Sequence, residues 1–169
     1  MARNENRAKS AQQNQDIATR AVSLFIDSDF NCAESVFLAS AECMRKCTPS
    51  IPCVASAFGG GMGREGSVCG ALTGALMALG LVFGRSKSTD DKEKIYGLTR
   101  ELYEGFTRKF GSPFCSELIE CDLGTREGRD KYHNLKLREL KCKSYVSFCS
   151  EALNRMLEPA IPGSKASGA

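Results

Sequence analysis

The sequence predicts an all-α fold, a single compact bundle of five or six helices with one central apolar helix after a Gly-rich loop. Apolar residues recur at helical spacing, capping residues and prolines mark helix boundaries, and no segment shows the alternation of a strand. The 169 residues are enough for one domain with a hydrophobic core. We expect a disordered N-terminal segment at 1–13, a single all-α domain at 14–158 and a flexible tail at 159–169.

Two helices are predicted ahead of the glycine-rich loop. Apolar side chains on one face predict a helix from about Asn14 to Asp27. A second helix starts at Asn31, whose side chain can cap it, and Glu34 completes a capping-box pattern. The segment TPSIP ends this helix, and Pro52 can open a short third one.

The remaining helices are predicted from one apolar segment and several amphipathic ones. Residues 68–82 are apolar nearly all round, which is typical of a central buried helix, and Ser67 is its expected cap. An amphipathic helix follows and stops near Phe110, and a short helix starts around Pro113. The last helix is expected from about Cys142 to Leu157.

Composition and charge exclude several classes of protein. The 23 Lys and Arg against 20 Asp and Glu give a net charge of +3, which is too small and too scattered to predict nucleic-acid binding. The polar N-terminus has no apolar core and is unlike a secretory signal. The longest apolar segment, residues 68–83, is too short and too rich in glycine to span a bilayer. We expect a cytoplasmic protein with neither a nucleic-acid nor a membrane partner.

The nine cysteines are the unusual feature of the composition. An odd number without an export signal argues against a disulfide scaffold. No C-x-x-C pair occurs, so a thioredoxin motif, a zinc knuckle and covalent haem attachment are all excluded. Buried thiols, metal ligation and redox chemistry are the roles left for these residues, which are Cys32, Cys43, Cys47, Cys53, Cys69, Cys115, Cys121, Cys142 and Cys149.

Four of the cysteines share a position in the predicted first turn of a helix. Free amides and the helix dipole lower the pKa of a thiol at that position, which favours a reactive or metal-binding thiolate. We therefore predict a set of metal ligands consisting of Cys32, Cys69, Cys115 and Cys142. The alternative for each is an inert buried side chain, and Cys53 shares the position. Three other cysteines lie within predicted helices, and we expect them to be small apolar residues of the core. They are Cys43, Cys47 and Cys149.

A glycine-dense segment, FGGGMGREGSVCGALTGALMALG at residues 58–80, contains one of these cysteines. Its G-x-G-x-x-G lacks the preceding strand of a dinucleotide site. We expect Gly60, Gly61 and Gly63 to take part in cofactor binding by bringing backbone N–H groups close to sulfur or to a cluster. The alternative is a tight turn packed beneath the central helix.

Several segments together resemble a known family of redox-active proteins, named for the pattern C_GCAxxG_C_C. They are NCAESVFLA, the glycine-dense segment, FGSPFCSELI, DLGTREGR and CKSYV. Cys69, Gly70, Ala71 and Gly74 fall on the C-G-A-x-x-G element. The resemblance implies an all-helical domain and the same four functional cysteines. It also implies a relation to the non-haem domain of split-Soret cytochromes, which carry an iron–sulfur centre.

Four functional hypotheses follow from these observations. The favoured one is a redox-active protein whose thiolates bind an iron–sulfur cluster of unspecified type for electron transfer, with an unidentified redox partner protein. The first alternative is a cluster-free thiol–disulfide redox protein. A structural zinc site and a helical interaction domain with a cysteine-rich core are the others. Catalytic residues, enzymatic activity and a homodimer are left open, as are additional roles for Cys43, Cys47 and Cys121.

Overall fold

The computed structural model describes residues 16–162, and this part of the chain is all-α, as predicted. Its eight α-helices outnumber the five or six predicted because three of them have nine residues or fewer. They are α1 Ile17–Asp27, α2 Cys32–Cys43, α3 Gly59–Met62, α4 Gly70–Phe83, α5 Glu93–Phe110, α6 Cys115–Ile119, α7 Arg126–Asn134 and α8 Lys143–Leu157. Two 3₁₀ turns, Cys53–Phe58 and Glu158–Ala160, and a π-helical turn, Arg138–Cys142, complete the secondary structure.

The apolar helix α4 lies at the centre, where it contacts α2, α5 and α8. Most of its residues are buried, from Gly70 to Leu79, which confirms the predicted central helix. Its glycines permit close packing against α2, since a β-carbon at Gly74 would lie 2.5 Å from the backbone oxygen of Ala33. Helix α1 packs against α2 and α8 on the other side of the core.

The start of α2 is as predicted and its end is not. The Asn31 side chain accepts hydrogen bonds from the N–H groups of Ala33 and Glu34, at 2.9 and 3.0 Å. The Glu34 carboxylate accepts one from the Asn31 N–H at 2.8 Å, which completes the capping box. The helix ends at Cys43 because Arg45 has a left-handed backbone conformation, with φ of 55°. The expectation that Cys47 belongs to the core is therefore wrong, because that residue is exposed.

An aromatic cluster joins α5 to α8. Its members are Phe106, Phe110, Tyr145 and Phe148, with ring centroids 4.8 to 5.9 Å apart in tilted and edge-on pairs. Tyr145 also reaches the cavity that is described below. Tyr145 therefore links this cluster to the candidate site.

The chain ends are only partly described. The predicted disordered segment 1–13 lies outside the described residues, as does 163–169 of the predicted tail. The first part of that tail contains Ile161, which packs against the core. The domain division stays a prediction, although one core cluster includes residues from Ile17 to Leu157. Within residues 16–162, no helix is both long and apolar enough to cross a membrane.

Candidate functional site

A cavity of about 440 Å³ is lined by all four of the predicted cysteines, Cys32, Cys69, Cys115 and Cys142. Each comes from a different part of the fold: the first residue of α2, the residue before α4, the first residue of α6 and the π-helical turn before α8. None of the nine cysteines forms a disulfide. The structure thus brings thiols that are distant in sequence to one cavity.

Hydrogen bonds between two loops place Cys69 next to Cys115. The Cys69 N–H donates to Pro113 O at 2.8 Å, and the Cys115 N–H donates to Ser67 O at 2.7 Å. The neighbouring residues Val68 and Phe114 form an isolated antiparallel bridge. The backbone N–H groups of both cysteines donate hydrogen bonds in this pairing. Neither cysteine therefore has a free N–H group at the start of its helix.

The four thiols interact electrostatically through Cys32. A negative charge on Cys32 raises the pKa values of Cys69, Cys115 and Cys142, each time as the first contribution after burial. Cys32 is therefore the thiol that the other three share as a neighbour. The four thiols therefore lie close enough for a charge on one to act on the others.

Burial raises the pKa of every one of these thiols. The pKa values of Cys115 and Cys142 rise to about 12, and those of Cys32 and Cys69 also lie above the usual 9.0. The expectation of lowered pKa values is therefore wrong for the metal-free protein. Desolvation disfavours the charged thiolate, and here it outweighs the effect of the helix ends. The thiols are protonated at neutral pH until something displaces the protons.

One residue of the glycine-rich loop, Gly60, supplies a hydrogen-bond donor to the sulfur of Cys32. Backbone N–H groups of Gly60 and Ala33 lower the pKa of Cys32, although less than burial raises it. Gly60 and Gly63 line the cavity with φ values of +65°. Gly61 does not line it, but a β-carbon there would lie 2.7 Å from Cys115 Cβ. The participation of these three glycines in cofactor binding stays a prediction.

The environment of Cys142 differs from the one that the sequence predicted. Helix α8 continues from the π-helical turn, so Cys142 does not stand at a free helix end. Instead, the Tyr132 hydroxyl donates a hydrogen bond to Cys142 Sγ at 3.7 Å. The positive charge of Arg138 also lowers the pKa of Cys142. A side chain and a cation therefore replace the helix-end amides as the groups that favour a sulfur anion.

Arg138 is held firmly beside the cavity. Its guanidinium donates to Phe25 O and, at 2.9 Å, to Phe30 O, and it lies 4.1 Å from the centroid of the Phe25 ring. Its charge acts on both Cys32 and Cys142. Sequence reasoning missed both Tyr132 and Arg138. In the sequence, Arg138 stands four residues before Cys142. Side chains at this spacing lie on the same face of a helix, so the spacing could have indicated that Arg138 lies near Cys142.

The other cysteines do not line the cavity. Cys149 is fully buried in the core, as predicted, although its charge would raise the pKa of Cys69. Cys121 lies near Cys115 and Cys142 and influences the pKa values of both. Cys43 is at the far end of α2, and Cys53 is exposed in the 3₁₀ turn.

Within the described part of the chain, no three His, Cys, Asp or Glu side chains meet closely enough to bind one metal ion. A structural zinc site requires four ligands around a single ion. In an iron–sulfur cluster, different thiolates bind different irons. Among residues 16–162, the thiols line the cavity without forming such a single-ion site.

Comparison with known proteins identifies the same region of the chain. The model of a family described as "Putative redox-active protein (C_GCAxxG_C_C)" matches residues 30–156. A protein of Archaeoglobus fulgidus, described as "Uncharacterized protein", is 33% identical over 113 residues, which cover 60% of this chain and 74% of the relative. No solved structure matches the chain. The family match includes all four cysteines that line the cavity.

Proposed function

The chain belongs to the C_GCAxxG_C_C family of redox-active proteins, and from that premise we propose that it transfers electrons through an iron–sulfur cluster bound by Cys32, Cys69, Cys115 and Cys142. The observation that carries the proposal is that thiols from four separate elements line one cavity. Cysteine thiolates are the usual ligands of such clusters. When bound, the cluster would supply one-electron transfer to and from a redox partner protein.

The groups around the thiols suit sulfur anions. The N–H groups of Gly60 and Ala33 donate to Cys32, and the Tyr132 hydroxyl donates to Cys142. Arg138 contributes a fixed positive charge near both of these thiols. Hydrogen bonds and charges of this kind stabilise thiolate ligands and set the reduction potential of a cluster.

The raised pKa values support metal or cluster binding over thiol–disulfide exchange. Exchange begins with attack by a thiolate, and burial keeps these thiols protonated. Binding of iron supplies the free energy that displaces those protons. The cluster-free alternative therefore lacks the activated thiol that it needs, unless another cysteine provides it.

The decisive experiment is anaerobic preparation of the full chain, followed by absorption spectroscopy and by iron, sulfide and zinc analysis of one sample. We expect a brown protein with iron and sulfide in comparable amounts. Single serine variants of the four cavity cysteines are expected to lose most of the iron. The matched control is Cys53→Ser, because Cys53 is exposed and outside the cavity, and this variant is expected to retain it.

Other results would replace the proposal. A colourless, iron-free protein whose free-thiol count changes reversibly with redox state would favour thiol–disulfide chemistry. Stoichiometric zinc without iron would favour a structural metal site. Normal iron content in all four serine variants would contradict the assignment of the ligands.

A further inference from the structure

The cavity wall carries an excess of positive charge. Besides the thiols, its lining contains the only histidine of the chain, His133, and three arginines, Arg64, Arg129 and Arg138. Among residues 16–162, no aspartate or glutamate lines the cavity. The charge of Arg138 acts on Cys32 and Cys142, which leaves two arginines whose role the thiols do not explain.

Arg64 and Arg129 both line the cavity, and both have atoms near Leu123. The Arg129 Nη1 donates to Leu123 O at 2.9 Å and to Gly124 O at 2.8 Å. A β-carbon built on Gly60 would lie 3.2 Å from Arg64 Cγ and 3.4 Å from Leu123 Cδ1. Gly60 therefore lies between the Arg64 side chain and Leu123, and both arginines line the same cavity.

Neither of these arginines is in ion-pair contact with a carboxylate among residues 16–162. By contrast, Arg20, Arg126 and Arg138 are paired with Glu42, Asp130 and Asp29, respectively. Arg129 is half-buried and satisfied only by neutral carbonyl groups. Uncompensated positive charges at a cavity attract small anions, because clefts lined by one sign of charge raise the local concentration of counter-ions.

We propose that Arg64 and Arg129 bind a small oxyanion in this cavity, beside the thiols. A guanidinium presents paired N–H donors that match the oxygen pairs of carboxylates and inorganic oxyanions. The cavity volume of about 440 Å³ lies in the range of small-molecule sites, roughly 300 to 1,000 Å³. His133 lies at the same cavity, four residues after Arg129 on α7, and provides a further polar contact. This inference goes beyond electron transfer, since it assigns a ligand to the cavity.

The test uses the untagged full chain, reduced and metal-free, titrated with sodium sulfate and separately with sodium acetate. The pH and the ionic strength are held constant with chloride. Because His133 is the only histidine, its imidazole proton signals in the NMR spectrum report binding without further assignment. We expect saturable shifts with at least one of the two anions, in both the metal-free and the cluster-loaded protein.

Two variants and one control locate the site. Arg64→Gln and Arg129→Gln are each expected to weaken binding at least tenfold. Arg129 also donates a hydrogen bond to Leu123 O, so its replacement could act by moving that segment. The Arg64 variant leaves this hydrogen bond in place and therefore tests the anion contact alone. Arg126→Gln is the control, because Arg126 lies on the same helix, is exposed and is paired with Asp130, and its binding is expected to be unchanged.

Three outcomes would overturn the inference. They are the absence of saturable shifts with both anions, equal binding in all three variants, and binding that disappears when iron and sulfide are loaded. In the last case, the two arginines would balance the negative charge of the cluster and would not bind an oxyanion. Normal iron content without anion binding would reject this inference alone, whereas anion binding in a chain that takes up no iron would reject only the proposed electron transfer.

Discussion

The sulfur atom of Cys32 occupies the space that a side chain on Gly70 would need. A β-carbon built on Gly70 would collide with Cys32 Sγ and would lie 2.9 Å from Phe58 O. Gly70 directly follows Cys69 and begins α4. The glycine after that cysteine therefore allows α2 and α4 to approach until their thiols reach the same cavity.

Gly70→Ala is expected to displace the Cys32 side chain and to lower the iron content of the anaerobically prepared protein. Gly80→Ala, in the same helix, is the control, because a β-carbon there meets no atom within 4 Å. We expect Gly80→Ala to retain iron and to stabilise the protein by about 1 kcal/mol, the usual gain for alanine over glycine in a helix. Iron analysis and urea unfolding measure the two effects. Equal iron in both variants would contradict the steric role of Gly70.

Cys69→Ser and Cys149→Ser are expected to fail in different ways. Both cysteines are buried, but only Cys69 lines the cavity. Serine at position 149 buries a hydroxyl in an apolar core, which costs about 1 to 3 kcal/mol when the hydroxyl has no partner. We expect that variant to be less stable but to keep its iron, and Cys69→Ser to lose most of it. If the two variants behave alike, the cysteines have a purely structural role.

Tyr132→Phe is expected to lower the reduction potential of the bound cluster. The Tyr132 hydroxyl donates to Cys142 Sγ, and such a bond favours the more negatively charged reduced state. A loss of about 0.5 to 1.5 kcal/mol corresponds to about 20 to 60 mV for one electron. Tyr145→Phe is the control, because its hydroxyl donates to Leu118 O instead. Potentials from voltammetry that shift equally in both variants would argue against a specific effect of the sulfur contact.

The stability of the metal-free protein is expected to fall as the pH rises above 9. The pKa values of Cys115 and Cys142 are about 12 in the folded protein against an ordinary value of 9.0, so the unfolded chain ionises first. Protonated thiols favour the folded state below pH 9, and this contribution is lost progressively between about 9 and 12. The loss is at most about 1.4 kcal/mol per thiol for each pH unit in that interval.

Urea unfolding of the reduced, metal-free protein at pH 8 and pH 10 measures this dependence. Other groups titrate over the same interval, so Cys115→Ser is the comparison. That variant lacks one of the buried thiols and is expected to lose less stability between the two pH values. An identical pH dependence in both proteins would show that burial of Cys115 does not contribute.

Features that depend on residues close together in the sequence were predictable from it. The capping box at Asn31 and Glu34 and the apolar helix α4 follow from local patterns, and both are confirmed. Positions at helix starts and the family resemblance both indicated the four cysteines that the structure brings to one cavity, and their role as ligands stays a prediction. All four lie at or directly before the first residue of an α-helix, but a π-helical turn precedes α8, so Cys142 does not stand at a free helix end.

Features that depend on contacts between distant segments were not predictable. The raised thiol pKa values result from burial by the whole bundle, which no local pattern encodes. Arg138 reaches Phe25 and Phe30 across more than a hundred residues of sequence. Helix α2 ends early because the backbone of Arg45 is left-handed. Arginine is not a residue type that predicts this conformation.

Tyr132 and Tyr145 both line the thiol cavity, and the chain contains four tyrosines and no tryptophan. Two of the four tyrosines, which give the chain its intrinsic fluorescence, therefore lie beside the cavity in which a coloured cofactor would assemble. Quenching of tyrosine fluorescence would report assembly and loss of that cofactor in real time, without any attached label. The exposed Tyr96 supplies an internal reference that a distant quencher affects least.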